Sequence, residues 1–260
     1  MNRKNARLIL PIISVLAFGL FWHFSVMFLN IPDWLIPSPA AVLKSAHEFR
    51  DAIWDSMLLT LYETFVGFGI AIVVGIGLAI LFVWVRTLRD AFYPIVLITQ
   101  AMPKIAIAPL LIVWMGPTDV SAKILMVFLI SFFPILVNSV VGLESIDRDL
   151  IDLMRTMRAT RWRIFVKLQL PGAVPHIFSG LKVGITMAVT GALVGELMGG
   201  NRGLGYLMNT ALGHIDTALM FAVLCVLTVM ARVLFYIVEG IDRFLNRWQD
   251  RGVTVLNATA

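Results

Sequence analysis

The strongest constraint in this sequence is a succession of apolar runs, each about as long as a helix that crosses a bilayer, separated by short charged connections. A hydrocarbon core takes about 20 apolar residues of helix, at about 1.5 Å of rise each. Leu8–Leu29 supplies the first run. Met57–Trp84, Ala91–Met115, Ala122–Leu143, Val174–Met198 and Ala218–Val238 supply five more. Hydrophobic residues make up 59% of the 260, and charged residues only 14%. Soluble domains run at about 45–50% and about 25%, and a soluble fold of this size has too little interior to hide the excess. The expected class is all-α, a polytopic membrane protein with about six spans. The first run follows Arg3, Lys4 and Arg7 as a signal peptide would, but it is too long for an h-region and ends in no small-residue cleavage site. It reads as a retained anchor.

The connections give an orientation. Arg3, Lys4, Arg7, Arg86, Arg89, Arg148, Arg155, Arg158, Arg161, Arg163, Lys167, Arg243, Arg247 and Arg251 fall on one side. Lys44, Arg50, Lys123 and Arg202 fall on the other. The positive-inside rule places both termini in the cytoplasm, as an even number of spans requires. This placement accounts for the basic balance without nucleic acid. After the first span three prolines break the chain between Asn30 and Pro39, and Ala40–Arg50 reads as a short amphipathic surface helix. Cys225 is the single cysteine, so no intrachain disulfide forms, and His23, His47, His176 and His214 have no metal-ligand spacing.

Within the spans, Gly67, Ala71, Gly75 and Ala79 recur four apart, as do Gly180, Gly184, Ala188 and Ala192. Gly191, Gly195 and Gly199 form a further strip. Small residues at this spacing let helices approach closely in lipid. The third span carries Gln100, Met102, Pro103, Lys104 and Pro109. Each proline removes a donor and clashes with the preceding turn, so this backbone is expected to break and to face protein or a water-filled path. Gln100 and Lys104 are expected to face the same way, lining that path. Charges inside spans are expected to be functional or paired. Glu63 reads as near the outer end of its span, within reach of water. Glu196 reads as a gate or helix lock, and Lys182 and Arg232 as snorkelling or pairing across helices.

The segment from Asp149 to Gly180 is too charged to span. Leu150, Leu153, Met154 and Met157 give one amphipathic helix, and Arg161-Trp162-Arg163 begins a second, with Pro171 and Pro175 ending the unit and starting the fifth span. Asp152-Leu-Met-Arg-Thr-Met-Arg-Ala-Thr-Arg-Trp162, closing on Leu170-Pro171, resembles the signature loop of type I ATP-binding-cassette importer permeases. Ala159, Trp162, Leu170 and Pro171 match that loop. Asp152 replaces its Glu, Leu153 and Met154 its alanines, and Arg158 its Gly. Ala108-Pro-Leu-Leu-Ile-Val-Trp-Met-Gly116, Phe133-Pro-Ile-Leu-Val-Asn138, Glu196 with Gly203-Leu-Gly-Tyr-Leu207, and Thr60-Leu followed by Gly67-Phe68 resemble the nitrate, sulfonate, taurine and thiamine-precursor branch of the family. That branch often has Arg where this chain has Glu63.

The resemblance spans residues 55–245 and implies a permease core there. Residues 1–54 would hold the anchor span with an extracytoplasmic segment, and 246–260 a cytoplasmic tail. It implies a multi-pass protein of the bacterial inner membrane, working as one of two permease subunits, with a homodimer expected. An ATPase pair and an extracytoplasmic solute-binding protein would complete the importer. The small solute would be an organic or inorganic anion or a vitamin precursor. The resemblance gives Asp152, Thr156, Arg158, Ala159, Thr160, Arg161 and Trp162 to ATPase coupling. It gives Gln100, Met102, Pro103, Lys104, Pro109 and Glu196 to the pathway or its gate. No Gly-x-x-x-x-Gly-Lys-Ser/Thr loop occurs in the chain, so ATP and Mg are expected on the partner and no enzyme here. Arg158 then poses a choice: an ordinary negative φ, or a left-handed residue tolerated because its charge makes a contact. The second is the expectation.

Two rival classes make different demands. A proton-coupled secondary transporter using Glu63 and Glu196 would show two related halves, and residues 1–130 and 131–260 do not resemble each other. A membrane enzyme would need a catalytic cluster, which the sequence lacks.

Overall fold

The computed structural model describes residues 3–29, 31–116 and 119–246, which hold helices and no strand. The order is α1 (Arg3–Phe28), α2 (Pro39–Glu48), α3 (Arg50–Trp84), α4 (Arg86–Ala101), a 3₁₀ turn (Lys104–Ile107), α5 (Ala108–Met115), α6 (Val120–Glu144), α7 (Arg148–Thr156), α8 (Arg161–Ile164), a π turn (Phe165–Gln169), α9 (Leu170–Gly199), α10 (Leu204–Gly213) and α11 (Thr217–Leu245). Several starts are written in local polar residues. Ser38 accepts from the Ala41 N–H with Pro39 in the first turn of α2, Asp119 caps α6 and Asp216 caps α11. The tail expected over 246–260, including Arg247, Arg251 and an Asn257–Thr259 sequon, lies outside the described residues beyond Asn246.

Among the described residues, α3, α6, the continuous stretch Arg161–Gly199 and α11 are long and apolar enough to cross a membrane. α4 and Lys104–Met115 are together long and apolar enough for one further span, but are bent by 87° at the break between them. α1 takes the place of the first expected span, with Ala17–Phe28 as a shorter apolar helix.

α6 is the centre of the bundle, and the glycine strips explain why. A Cβ on Gly67 would sit 2.6 Å from Val127 Cβ, and one on Gly75 would sit 3.1 Å from Ile135. From the opposite side, a Cβ on Gly191 would meet the Val127 backbone at 2.9 Å, and one on Gly184 would meet Ile135 at 2.9 Å. Val127 and Ile135 are thus gripped between α3 and α9, and both are fully buried. Dispersion at close approach holds such helices together where lipid supplies no hydrophobic drive.

One boundary differs from the sequence reading. Pro171 and Pro175 do not end the loop unit. α8, the π turn and α9 run on as one helix from Arg161 to Gly199. The Leu170 N–H reaches back to the Phe165 carbonyl, and this wider π turn accommodates the proline that follows without a break.

Candidate functional site

Three places carry the polar chemistry, beginning with the junction of α3, α9 and α10. α10 has no side-chain cap of its own, because its N-cap is Gly203 at φ 104°. The first N–H groups of a helix need acceptors, and two other helices supply them. Glu196 of α9 accepts the Gly205 N–H at 2.6 Å, and Thr60 of α3 accepts the Leu204 N–H at 3.0 Å. Thr60 in turn donates its hydroxyl to Glu196 at 2.6 Å. Gly203 is obligatory, since a Cβ there would overlap the Glu196 carboxylate. All of this is buried: Thr60 is 0% and Glu196 1% exposed. A carboxylate at a helix N-terminus is electrostatically favoured as well, and through Thr60 and Gly205 the Glu196 side chain joins α9 to α3 and α10.

Beside it lies a second buried charge. Glu63 does not reach water, contrary to the sequence reading. It is fully enclosed between α3 and α6, with Lys123 Nζ at 3.6 Å from its carboxylate. Lys123, counted from sequence among loop charges, is itself 2% exposed. A Cβ on Gly195 would sit 3.2 Å from Lys123 Cα, so the glycine lets α9 pack closely over this turn of α6. Neither Glu63 oxygen has a hydrogen-bond donor among the described residues, which leaves the Lys123 ammonium as its charged partner. Glu63 and Lys123 thus form an ion pair buried in the core, one turn of α3 from Thr60. Lys123 had one signal in the sequence, its position just inside the Ala122–Leu143 run. Its pairing with Glu63 had none.

The third span breaks as the prolines demand, with α4 ending at Ala101 and Pro103 in extended backbone. Gln100 and Lys104 do not stack on one helical face, because the break falls between them. Instead Lys104 Nζ donates to the Gln100 carbonyl at 2.9 Å, satisfying an acceptor at the broken helix end, and sits 4.6 Å from the centre of the Phe133 ring. Gln100, Met102, Pro103 and Pro109 are exposed and Lys104 half-buried, whereas Glu196 lies in the core, so the structure does not gather them at one point. The remaining span charges pair: Lys182 of α9 with Asp242 of α11, and Arg232 with the Tyr236 hydroxyl and ring.

The α7–α8 loop is a defined unit. Asp147 caps α7 and Thr160 caps α8. Asp152 pairs with Arg155 at 2.9 Å, and the Thr156 hydroxyl donates to the Asp152 carbonyl. Arg158 has φ 59°. Its N–H donates to the Arg155 carbonyl and that of Ala159 to Met154, the paired bonds that close a helix on a left-handed residue, usually glycine. Of the two backbones open to Arg158, the left-handed one is present, at about 1 kcal/mol for a residue with a Cβ. Its guanidinium is exposed and pairs with no acidic group among the described residues. Trp162 packs its ring against Trp84 (5.8 Å) and Phe165 (5.9 Å), tying α8 to the end of α3. Trp84 is the partner that sequence reading missed.

Residues 71–251 match the family model described as the inner membrane component of binding-protein-dependent transport systems. The riboflavin transport system permease protein RibX of Chloroflexus aurantiacus is 36% identical over 91% of this chain and 89% of its own length. The formylaminopyrimidine transport permease protein ThiX of Halalkalibacterium halodurans is 30% identical over 96% of this chain and 99% of its own. Among solved structures, an inward-facing form of the MetNI methionine ABC transporter superposes with a TM-score of 0.60 at 23% identity. It covers 76% of this chain and 95% of that one.

Proposed function

Since the chain belongs to the family of inner-membrane components of binding-protein-dependent transport systems, and so is a permease subunit of an ATP-driven importer, we propose how it couples and what it carries. Family membership implies an ATPase subunit and a solute-binding protein as partners. The proton-coupled alternative has no support: Glu63 and Glu196 are walled into structural contacts, and the relatives are ABC permeases.

The observation that carries the mechanism is the continuity of Arg161–Gly199. This helix, about 58 Å long, has the α7–α8 loop at one end and the Glu196 lock near the other. Asp152, Thr156, Arg158, Ala159, Thr160, Arg161 and Trp162 form the coupling surface against the ATPase, on the cytoplasmic side with both termini. ATP and Mg sit on that partner. Movement at Trp162 passes along the rod to Glu196, which holds α10 to α3. The broken third span from Gln100 to Pro109 lines the path. α4 buries none of its residues, and its exposed Phe92, Ile95 and Ile98 suit a second copy of the chain, making a homodimer.

Arg158 tests the coupling surface. Arg suits a paired contact with a carboxylate, here on the ATPase. Arg158→Gly is expected to relieve the left-handed turn by about 1 kcal/mol and still bind the ATPase subunit more weakly at low salt, with the difference shrinking at high salt. Arg158→Ala separates charge from backbone. Both variants binding like wild type at low salt would reduce Arg158 to a solvated charge.

The solute proposed is a heterocyclic vitamin or vitamin precursor. The riboflavin- and formylaminopyrimidine-named permeases share 36% and 30% identity with this chain, against 27% for the taurine-named permease of Escherichia coli. The partner binding protein, heated with riboflavin, formylaminopyrimidine or taurine, should be stabilised by one of the first two. Stabilisation by taurine alone would contradict the assignment.

A further inference from the structure

A cleft of about 560 Å³ opens where α3, α4, α6, α7 and α8 meet. Its walls hold five guanidiniums, those of Arg86, Arg89, Arg148, Arg155 and Arg161, and one carboxylate, that of Glu144. Glu144 is taken by Arg89 at 2.6 Å, and Arg155 is turned to Asp152. The guanidiniums of Arg86, Arg148 and Arg161 form no ion pair or hydrogen bond among the described residues. The rest of the wall is apolar apart from Gln169: Phe82 and Trp84 close α3, Leu143 is in the last turn of α6, and Ile151, Ile164 and Phe165 come from the loop helices and the π turn.

This combination selects a ligand with one anionic group and an apolar remainder. Unpaired guanidiniums match the oxygens of a phosphate in charge and geometry. The cleft sits at the ends of two apolar helices, α3 and α6, and Trp84 is in its wall, a residue type that favours the membrane–water interface. Basic pockets between helices at that level suit phospholipid headgroups. We propose that the cleft binds the phosphodiester headgroup of an anionic phospholipid, held by Arg86, Arg148 and Arg161, with the acyl chains running along the end of α3. A lipid there fills the space behind the α7–α8 loop and steadies it against α3, next to the Trp84–Trp162 contact. A carboxylate of the ATPase subunit is the competing occupant. The apolar wall argues against it. The proposal rests on the orientation given above only for the leaflet that supplies the lipid.

The test uses the full chain purified in neutral detergent. Phosphatidylglycerol or phosphatidylcholine is added, with retention measured by native mass spectrometry and thermal stability by a melting assay. Wild type is expected to retain phosphatidylglycerol over phosphatidylcholine and to melt higher with it. Each basic residue near an anionic headgroup strengthens association about fivefold, so the double variant Arg86→Gln/Arg148→Gln should retain phosphatidylglycerol about 30-fold less and melt like wild type in phosphatidylcholine. Equal retention by the double variant would overturn the proposal. So would inorganic phosphate reproducing the whole melting shift, which marks a free-anion site. A charge preference seen only with the ATPase subunit present would overturn it too, giving the cleft to that partner. Both readouts are independent of transport and of which side faces the cytoplasm.

Discussion

Glu196→Ala is expected to destabilise the assembled protein by about 3–5 kcal/mol and to abolish transport. The carboxylate accepts two 2.6 Å hydrogen bonds, from the Thr60 hydroxyl and the Gly205 N–H, in a site with almost no solvent. Alanine leaves the Gly205 N–H without an acceptor, at about 1–3 kcal/mol, and opens a cavity among α3, α9 and α10. Glu196→Gln is the informative partner. Its amide oxygen still accepts from Gly205, and its amide nitrogen faces the Thr60 oxygen, which already accepts from Leu204. The expected result is assembled protein with altered transport. Melting in detergent and solute uptake separate the two variants. Wild-type melting in Glu196→Ala would remove the lock from the account.

The next largest effect is expected at Lys123. Lys123→Met removes the cation beside Glu63 and leaves a buried charge uncompensated, at about 3–5 kcal/mol. Glu63→Gln/Lys123→Met removes the pair together. Replacing a whole buried pair is often close to neutral, so the double variant should melt well above Lys123→Met alone. Double-mutant cycles on melting midpoints give the coupling. A double variant no better than the sum of its singles would mean that the 3.6 Å pair carries no interaction.

These two sites also mark where the sequence became hard to read. Spans, the Pro103 break and the glycine strips depend on residues within a few turns of one another, so periodicity and backbone chemistry reveal them. The left-handed turn was legible for the same reason: an Arg where related loops have Gly leaves only two backbones, and the structure holds the left-handed one. Glu63 and Lys123 are 60 positions apart by number, and nothing local to either says that α3 and α6 bring them together. A glutamate near a span end reads as wet until the neighbouring helix is known. Pro171 misled in the opposite way. A proline after a charged helix reads as a stop, and only the backbone shows the π turn that carries the helix through it. Among the site residues, Glu196 was legible as a charge inside a span, while its partners Thr60 and Gly205 became visible only with α10 in place.

The central claim is that ATP hydrolysed on a partner subunit moves solute through this chain. Proteoliposomes holding the chain with its ATPase subunit, and its binding protein outside, test it most directly. Uptake should require ATP on the ATPase side and should persist when the proton gradient is collapsed. Uptake driven by an imposed proton gradient without ATP would contradict it.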